Sequence, residues 1–297
     1  MTISTPGAGA KPRRAVTRGS SAPPRGTPGL VRSLAGACHP APTVVVTVCA
    51  TLLAYAAGHT APRIALIGAA VLAGQLSIGW SNDWFDAARD RSVGRTDKPV
   101  AAGAVPVRTV ATAACLAAVA ATVLSLWVGL IAGLLHLIGV ASGWLYNWPL
   151  KTTVASPLPY LVGFGVLPSF VVVALPGGPT PPWWLPTAAA MLGAGAHFAN
   201  VLPDLSDDLR TGVRGLPHRL GAVTSYRVTV VLLLGAGIVL VSGRGTDSIV
   251  AWLALAVAAL TLIGAALLRR RYGERLLFHA VLGVALVDVG LLLTAPL

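Results

Sequence analysis

Nine stretches of mostly apolar residues follow one another along this chain, and each is close to the ~20 residues that a helix needs to cross a membrane. Because lipid offers the backbone no hydrogen-bond partners, a chain with this pattern must satisfy its backbone within helices. The stretches cover residues 42–58, 63–81, 105–126, 128–147, 156–175, 183–202, 222–241, 247–267 and 276–296. We therefore predict an all-α integral membrane bundle of nine transmembrane helices.

The composition agrees with this class of fold. The chain is 55% hydrophobic and 11% charged, whereas soluble domains carry about 25% charged residues. The net charge of +12 is also found in nucleic-acid-binding proteins, but the apolar fraction and the layout of the basic residues fit membrane topology better. We expect the lipid bilayer, and not a nucleic acid, as the partner of the basic residues.

The basic residues also predict an orientation. Residues 1–41 are rich in Pro, Gly, Ser and Ala and contain six basic residues and no acid, which predicts a disordered basic tail before a helical domain over residues 42–297. If this tail lies in the cytoplasm, only Arg63 and Arg244 of the 22 Lys and Arg fall on the outer side. We expect a bacterial plasma-membrane protein with a cytoplasmic N-terminus and an outer C-terminus.

Six of the ten acids lie in two short segments, each at the end of an apolar stretch. In the segment 82–90, helical spacing places Asn82, Asp86 and Asp90 on one ridge, with Asp83 beside Asp86. The second segment, 204–208, carries acids four residues apart. Like charges at this spacing repel unless a cation lies between them, and oxygen-only ligands favour Mg²⁺. A magnesium site is therefore predicted.

Basic residues follow both acidic segments, among them Arg95 and Lys98 after the first. Carboxylates bind a phosphate only through a bridging metal ion, and Lys or Arg then pairs with the remaining phosphate oxygens. The pattern indicates a diphosphate ligand. A diphosphate on a long apolar chain, such as a polyprenyl diphosphate, suits a site where a helical bundle meets water. When the diphosphate group leaves such a molecule, an allylic carbocation remains, and this cation needs a dry cavity lined by aromatic residues.

The two acidic segments carry a family resemblance that covers about residues 40–297. Residues 82–90 resemble the Asn-Asp-x-x-Asp-x-x-x-Asp signature of the UbiA-type intramembrane prenyltransferases, and residues 204–208 resemble the second Asp-x-x-x-Asp motif of that family. The resemblance implies a central cavity that opens near the cytoplasmic side, with Arg95 and Lys98 on the diphosphate. It also implies these magnesium ligands: Asn82, Asp83, Asp86, Asp90, Asp204 and Asp208.

One part of the sequence departs from the family pattern. Many members carry a Tyr and a Lys four residues apart after the fourth span, whereas Tyr146 and Lys151 are five apart. We interpret Tyr146 as a catalytic group near the cation and Lys151 as a diphosphate ligand, the alternative being two anchors at the membrane interface. Asn200, four residues before Asp204, is a further candidate for diphosphate binding. Asp207 is extra to the motif and is either a ligand or a solvated acid.

Three functions fit these patterns. We favour a prenyltransferase that moves a prenyl group from its diphosphate to an aromatic or lipid acceptor. A terpene cyclase of the same family would ionise the diphosphate and cyclise the prenyl group without an acceptor. A transporter would place its acids near the bilayer midplane, whereas these acids lie at helix ends. The scarcity of Lys and Arg within the spans favours a neutral acceptor, a lipid or none.

Overall fold

The computed structural model describes residues 1–2, 29–96, 98–203, 205–210, 212–243, 249–272 and 274–293, and these ranges contain no β-strand. The helices are α1 (Leu30–Ala37), α2 (Pro40–Ala56), α3 (Ala61–Ser92), α4 (Val107–Val128), α5 (Leu130–Asn147), α6 (Leu158–Val173), α7 (Trp184–Val201), α8 (Leu205–Arg210), α9 (Leu216–Gly243), α10 (Ile249–Tyr272) and α11 (Glu274–Leu293). A short 3₁₀ turn covers Leu150–Thr152.

Each of the nine predicted spans overlaps one long helix in the described residues, which confirms the all-α class. By length and composition, five of these helices are suited to crossing a membrane: α3, α4, α5, α9 and the Ala251–Leu268 part of α10. The bent pair α1 and α2 adds a sixth if it counts as one span. The number of nine crossings stays a prediction.

The helices pack in chain order around a ring. From α2 to α6, each helix contacts the next one along the chain. Helix α9 packs on α7, and both α10 and α11 pack on α9. The ring closes where α11 contacts α2. Small residues allow this close approach. At Gly193 of α7, for example, a β-carbon would lie 2.6 Å from Phe164 of α6.

Arg63 ties one end of the bundle together. Its guanidinium group donates hydrogen bonds to the carbonyl of Val128 and, at 3.4 Å, to the carbonyl of Ala174. These carbonyls lie at the C-terminal ends of α4 and α6, where helices carry unsatisfied acceptors and a partial negative charge. Arg63 is therefore held by helix ends, on the side opposite to the one where α3 ends.

The predicted disordered tail is wrong for its last part. Leu30–Ala37 forms helix α1, which meets α2 at an angle of 70°. The helix is ordered by packing against a small core after α3, in which Ala37 lies with Val100 and Val105. The indole N–H of Trp80 also donates a 2.9 Å hydrogen bond to the carbonyl of Leu34. Residues 3–28 of the predicted tail lie outside the described residues.

Gly79 permits the closest contact between the α1–α2 bend and α3. A β-carbon at this position would overlap the carbonyl group of Cys38. Because the Cys38 carbonyl belongs to the backbone, a side chain at position 79 could fit only if the whole α1–α2 bend moved. The contact lies one turn before Asp83, so it fixes the bend beside the first acidic segment.

We expect Gly79→Ala to lower the unfolding free energy by about 1–3 kcal/mol, because the methyl group has no room against the Cys38 carbonyl. The measurement is thermal unfolding in detergent. Gly264→Ala on α10 is the matched control, since no atom lies within 4 Å of a β-carbon there. Equal melting temperatures for the two variants would contradict the packing argument.

Candidate functional site

The last turns of α3 carry three buried carboxylates. Asp83, Asp86 and Asp90 are 2%, 5% and 3% exposed. The helix continues through them to Ser92 and stops before Gly94, whose φ of 70° breaks the helical path. Because buried charges are costly without partners, the structure must provide a cation for each acid, and these cations come from several segments.

Lys98 bridges two of the acids. Its ammonium nitrogen lies 2.9 Å from Asp83 and 3.2 Å from Asp90. Burial disfavours the charged form of this lysine, but the attraction of Asp83 and then of the other two acids outweighs burial and raises the pKa of Lys98. Lys98, predicted as a diphosphate ligand, is therefore held as a cation beside the first acidic segment.

Asp86 has two cationic partners. The Lys151 ammonium group forms an ion pair with it, and the Arg89 guanidinium lies 2.8 Å away. Burial lowers the pKa of Lys151, and the Asp86 carboxylate offsets this only in part. The five-residue spacing from Tyr146 thus does not keep Lys151 from the acids of α3.

His39 is a member of this site that sequence reasoning missed. Its Nε2 atom lies 3.2 Å from a carboxylate oxygen of Asp83. His39 has φ 55° and is the one non-glycine residue with positive φ in the described part of the chain. Such a conformation is costly outside glycine. In the sequence, His39 is marked only by the proline that follows it. The bend that brings His39 to Asp83 depends on packing at Gly79, which the local sequence does not show.

The second acidic segment is described in part. Asp208 lies in α8 and its carboxylate, 30% exposed, is 3.2 Å from Nε2 of His218. His218 precedes the break in α9 at Gly221, where φ is 77°. Asp204 and the side chain of Asp207 lie outside the described residues, so their predicted roles stay predictions. His218 is a second residue that the sequence analysis did not identify.

Two other predicted site residues lie at the surface. Arg95 is exposed, and its backbone N–H donates to the carbonyl of Asp90 at 3.0 Å. Asn200 is exposed near the end of α7. Both lie close in sequence to the acidic segments, but among the described residues no carboxylate contacts the Asn200 side chain.

Aromatic rings surround Tyr146, the predicted catalytic group. The Tyr146 ring meets Tyr160 edge to face at 5.0 Å and His197 at 5.5 Å between ring centres. Nε2 of buried His197 is 3.0 Å from the Ser156 hydroxyl. Tyr146 directly precedes Asn147, whose amide oxygen accepts a 3.0 Å hydrogen bond from Asn82 of the first acidic segment. Tyr146 therefore lies near the first acidic segment, where an aromatic face can stabilise a cation.

Comparison with known proteins agrees with this geometry. A model of the UbiA prenyltransferase family matches residues 43–283. The chain belongs to the UbiA prenyltransferase family. This confirms the resemblance that the two acidic segments carry, and it places the chain in a family of integral membrane proteins. Comparison with curated proteins gives no significant sequence match.

Solved structures of UbiA homologues have the same fold. A homologue from Aeropyrum pernix K1 aligns with a TM-score of 0.67 and 19% identity, over 84% of this chain and 96% of the other. A homologue from Archaeoglobus fulgidus bound to GPP and Mg²⁺ aligns with a TM-score of 0.66 and 15% identity, over 88% and 98%. A structure of digeranylgeranylglyceryl phosphate synthase gives 0.67 and 16%, over 89% and 98%.

The donor set of this UbiA protein fits magnesium by its chemistry. Asp83, Asp86, Asp90 and the amide of Asn82 offer oxygen atoms, which Mg²⁺ prefers. Within the described ranges no group of three or more His, Cys, Asp or Glu side chains is arranged to hold a metal ion. The carboxylates instead pair with Lys98, Lys151, Arg89 and His39. Metal binding would therefore require these cations to turn towards another anion.

We expect Lys98→Gln to lower the unfolding free energy by about 3 kcal/mol, because it leaves Asp83 and Asp90 without their shared cation. Thermal unfolding in detergent measures the effect. Arg91→Gln is the control, since Arg91 is exposed near the end of α3, the helix that carries Asp83 and Asp90. A melting temperature for Lys98→Gln as high as that of the control would show that the bridge adds no stability.

Proposed function

We propose that this protein is a magnesium-dependent intramembrane prenyltransferase, which moves a prenyl group from a polyprenyl diphosphate to an aromatic or lipid acceptor. The observation that carries the proposal is that two lysines from separate loops, Lys98 and Lys151, form ion pairs with the three buried carboxylates of α3. Its membership of the UbiA family and the GPP and Mg²⁺ bound by the Archaeoglobus fulgidus homologue support the choice of substrate class.

The charged groups would bind the diphosphate. Lys98 and Lys151 are held at the acids of α3, and each can turn its ammonium group to a phosphate oxygen when a metal ion takes its carboxylate. Bound Mg²⁺ would neutralise the diphosphate and make it a better leaving group. Asn82, Asp83, Asp86, Asp90, Asp204 and Asp208 are the residues that we assign to the metal.

The aromatic residues would receive the prenyl chain. The C–O bond between the allylic carbon and the diphosphate breaks, and its electron pair leaves with the diphosphate. Tyr146 and Tyr160 then offer ring faces to the allylic cation. The cationic carbon forms a bond with a nucleophilic atom of the acceptor, which loses a proton to the released diphosphate. Exclusion of water by the packed helices protects the cation from hydrolysis.

A neutral acceptor fits the charges of the bundle best. Arg63, the first residue of the second predicted span, is held by the ends of α4 and α6 at the end of the bundle opposite to the acids. The scarcity of other Lys and Arg residues within the predicted spans leaves few cations to pair with an acidic acceptor. A terpene cyclase would need no acceptor, so the two reactions differ in a requirement that can be measured.

The test uses purified protein in detergent or nanodiscs with geranylgeranyl diphosphate and Mg²⁺, with and without neutral and acidic acceptors. We expect diphosphate release and a prenylated product only with an acceptor, and loss of both with EDTA. Release together with a cyclic hydrocarbon and no acceptor would identify a cyclase. Absence of diphosphate release under all conditions would overturn both assignments.

We expect Asp86→Ala and Asp208→Ala each to reduce diphosphate release by at least a hundredfold, because each removes a proposed metal ligand. The measurement is initial rate at saturating substrate, with melting temperatures to show that the variants are folded. Arg91→Gln serves as the control and should keep the activity of the unchanged protein. Near-normal rates in a folded Asp86→Ala protein would remove Asp86 from the metal site.

A further inference from the structure

Asn147 is the last residue of α5 and is almost fully buried against α3. It makes three hydrogen bonds to that helix. Its amide nitrogen lies 2.8 Å from the Ile78 carbonyl and 2.8 Å from the Ser81 hydroxyl. Its amide oxygen lies 3.0 Å from the amide nitrogen of Asn82. Asn147 therefore uses every hydrogen-bonding group of its side chain on the helix that carries the first acidic segment.

Chemistry fixes which way the Asn147 amide points. A backbone carbonyl only accepts hydrogen bonds, so the atom of Asn147 that faces Ile78 must be the NH₂ group. The Ser81 hydroxyl donates its own hydrogen to the same carbonyl at 2.9 Å, so towards Asn147 it can act only as an acceptor. Both hydrogens of the NH₂ group are therefore used, and the oxygen of Asn147 is left for Asn82.

The orientation of Asn147 in turn fixes Asn82. An oxygen acceptor requires a donor opposite it, so Asn82 must present its NH₂ group to Asn147. The amide oxygen of Asn82 then points the other way, where the ammonium nitrogen of Lys98 lies 3.4 Å from it. Lys98 also binds Asp83 and Asp90. The oxygen of Asn82 consequently faces the same cation as the acids.

An amide can offer either end to a site, and only one end binds a cation. If the Asn82 amide turned over, its NH₂ group would face Lys98 and any metal ion, and its oxygen would face the oxygen of Asn147. Both contacts would be repulsive. The chain from the Ile78 carbonyl through Asn147 to Asn82 thus selects the amide rotamer that offers oxygen.

We infer that Asn147 is a positioning residue, which holds the amide oxygen of Asn82 towards the magnesium–diphosphate site. This inference rests on the proposed function, because it assumes that a cation binds there. Partners of metal ligands typically affect metal affinity by about 10–100-fold. Asn147 touches neither the metal nor the diphosphate in this scheme, and its whole effect passes through Asn82.

The experiment is isothermal titration of Mg²⁺ into the full-length protein in the presence of geranyl S-thiolodiphosphate, an unreactive substrate analogue. We expect Asn147→Ala to weaken Mg²⁺ binding by about 10–100-fold. Ser142→Ala is the matched control, because Ser142 is buried on the same helix but bonds to Gly139 and Pro159 and not to α3. It should bind Mg²⁺ as the unchanged protein does. Asn147→Ser, with a shorter side chain, repeats the test if the alanine variant unfolds.

Two backgrounds separate positioning from general structural damage. In Asn82→Ala the oriented amide is gone, so adding Asn147→Ala should cause no further loss of Mg²⁺ affinity. In Asn82→Asp both terminal atoms are oxygens, so an oxygen faces the site in either orientation and Asn147→Ala should again not weaken Mg²⁺ binding. A structural role would instead weaken binding in all three backgrounds.

The outcomes distinguish this inference from the proposed function. If the unchanged protein binds Mg²⁺ with the analogue and folded Asn147→Ala binds it equally well, the positioning role is wrong and the proposed function stands. Equal losses in all backgrounds would also overturn the positioning role. If the unchanged protein binds neither Mg²⁺ nor the analogue, the proposed function itself fails.

Discussion

The structure depends on burial of the acidic face of α3. Three carboxylates lie within two turns of one helix and are almost closed off from solvent. Such a face is tolerated only where cations reach it. Lys98 comes from the loop after α3, Lys151 from the turn after α5, and His39 from the bend before α2. The surrounding segments therefore take positions that complete the electrostatics of one helix end.

Packing explains how these segments reach the acids. The bend at Cys38 and His39 sits on Gly79, where a side chain would collide with the backbone. The helix α1 before it packs on the loop that carries Lys98. At the opposite end of the bundle, Arg63 holds the ends of α4 and α6. One end is thus joined by helix-terminal hydrogen bonds, and the acids lie at the other.

Sequence reasoning was most successful where residues are close along the chain. The ridge of Asn82, Asp86 and Asp90 follows from helical periodicity, and the match of residues 43–283 to the UbiA family confirms the resemblance. Lys98 was predicted because it follows the same segment. Sequence reasoning did not predict helix α1, which is short and follows a polar, Pro-rich and Gly-rich stretch. It also gave no sign of His39, Asn147 or His218, which meet their acid or amide partners only after helices pack.

The sequence by itself determined the all-α class, the approximate positions of the long helices and the acids that share a face, because these depend on local hydropathy and on the 3.6-residue period. The tertiary structure decided which cations and amides meet those acids. Asn82 and Asn147 lie on different helices, and nothing in the local sequence relates them. Their hydrogen bond exists because α3 and α5 pack side by side, and that packing also turns the Asn82 oxygen towards Lys98.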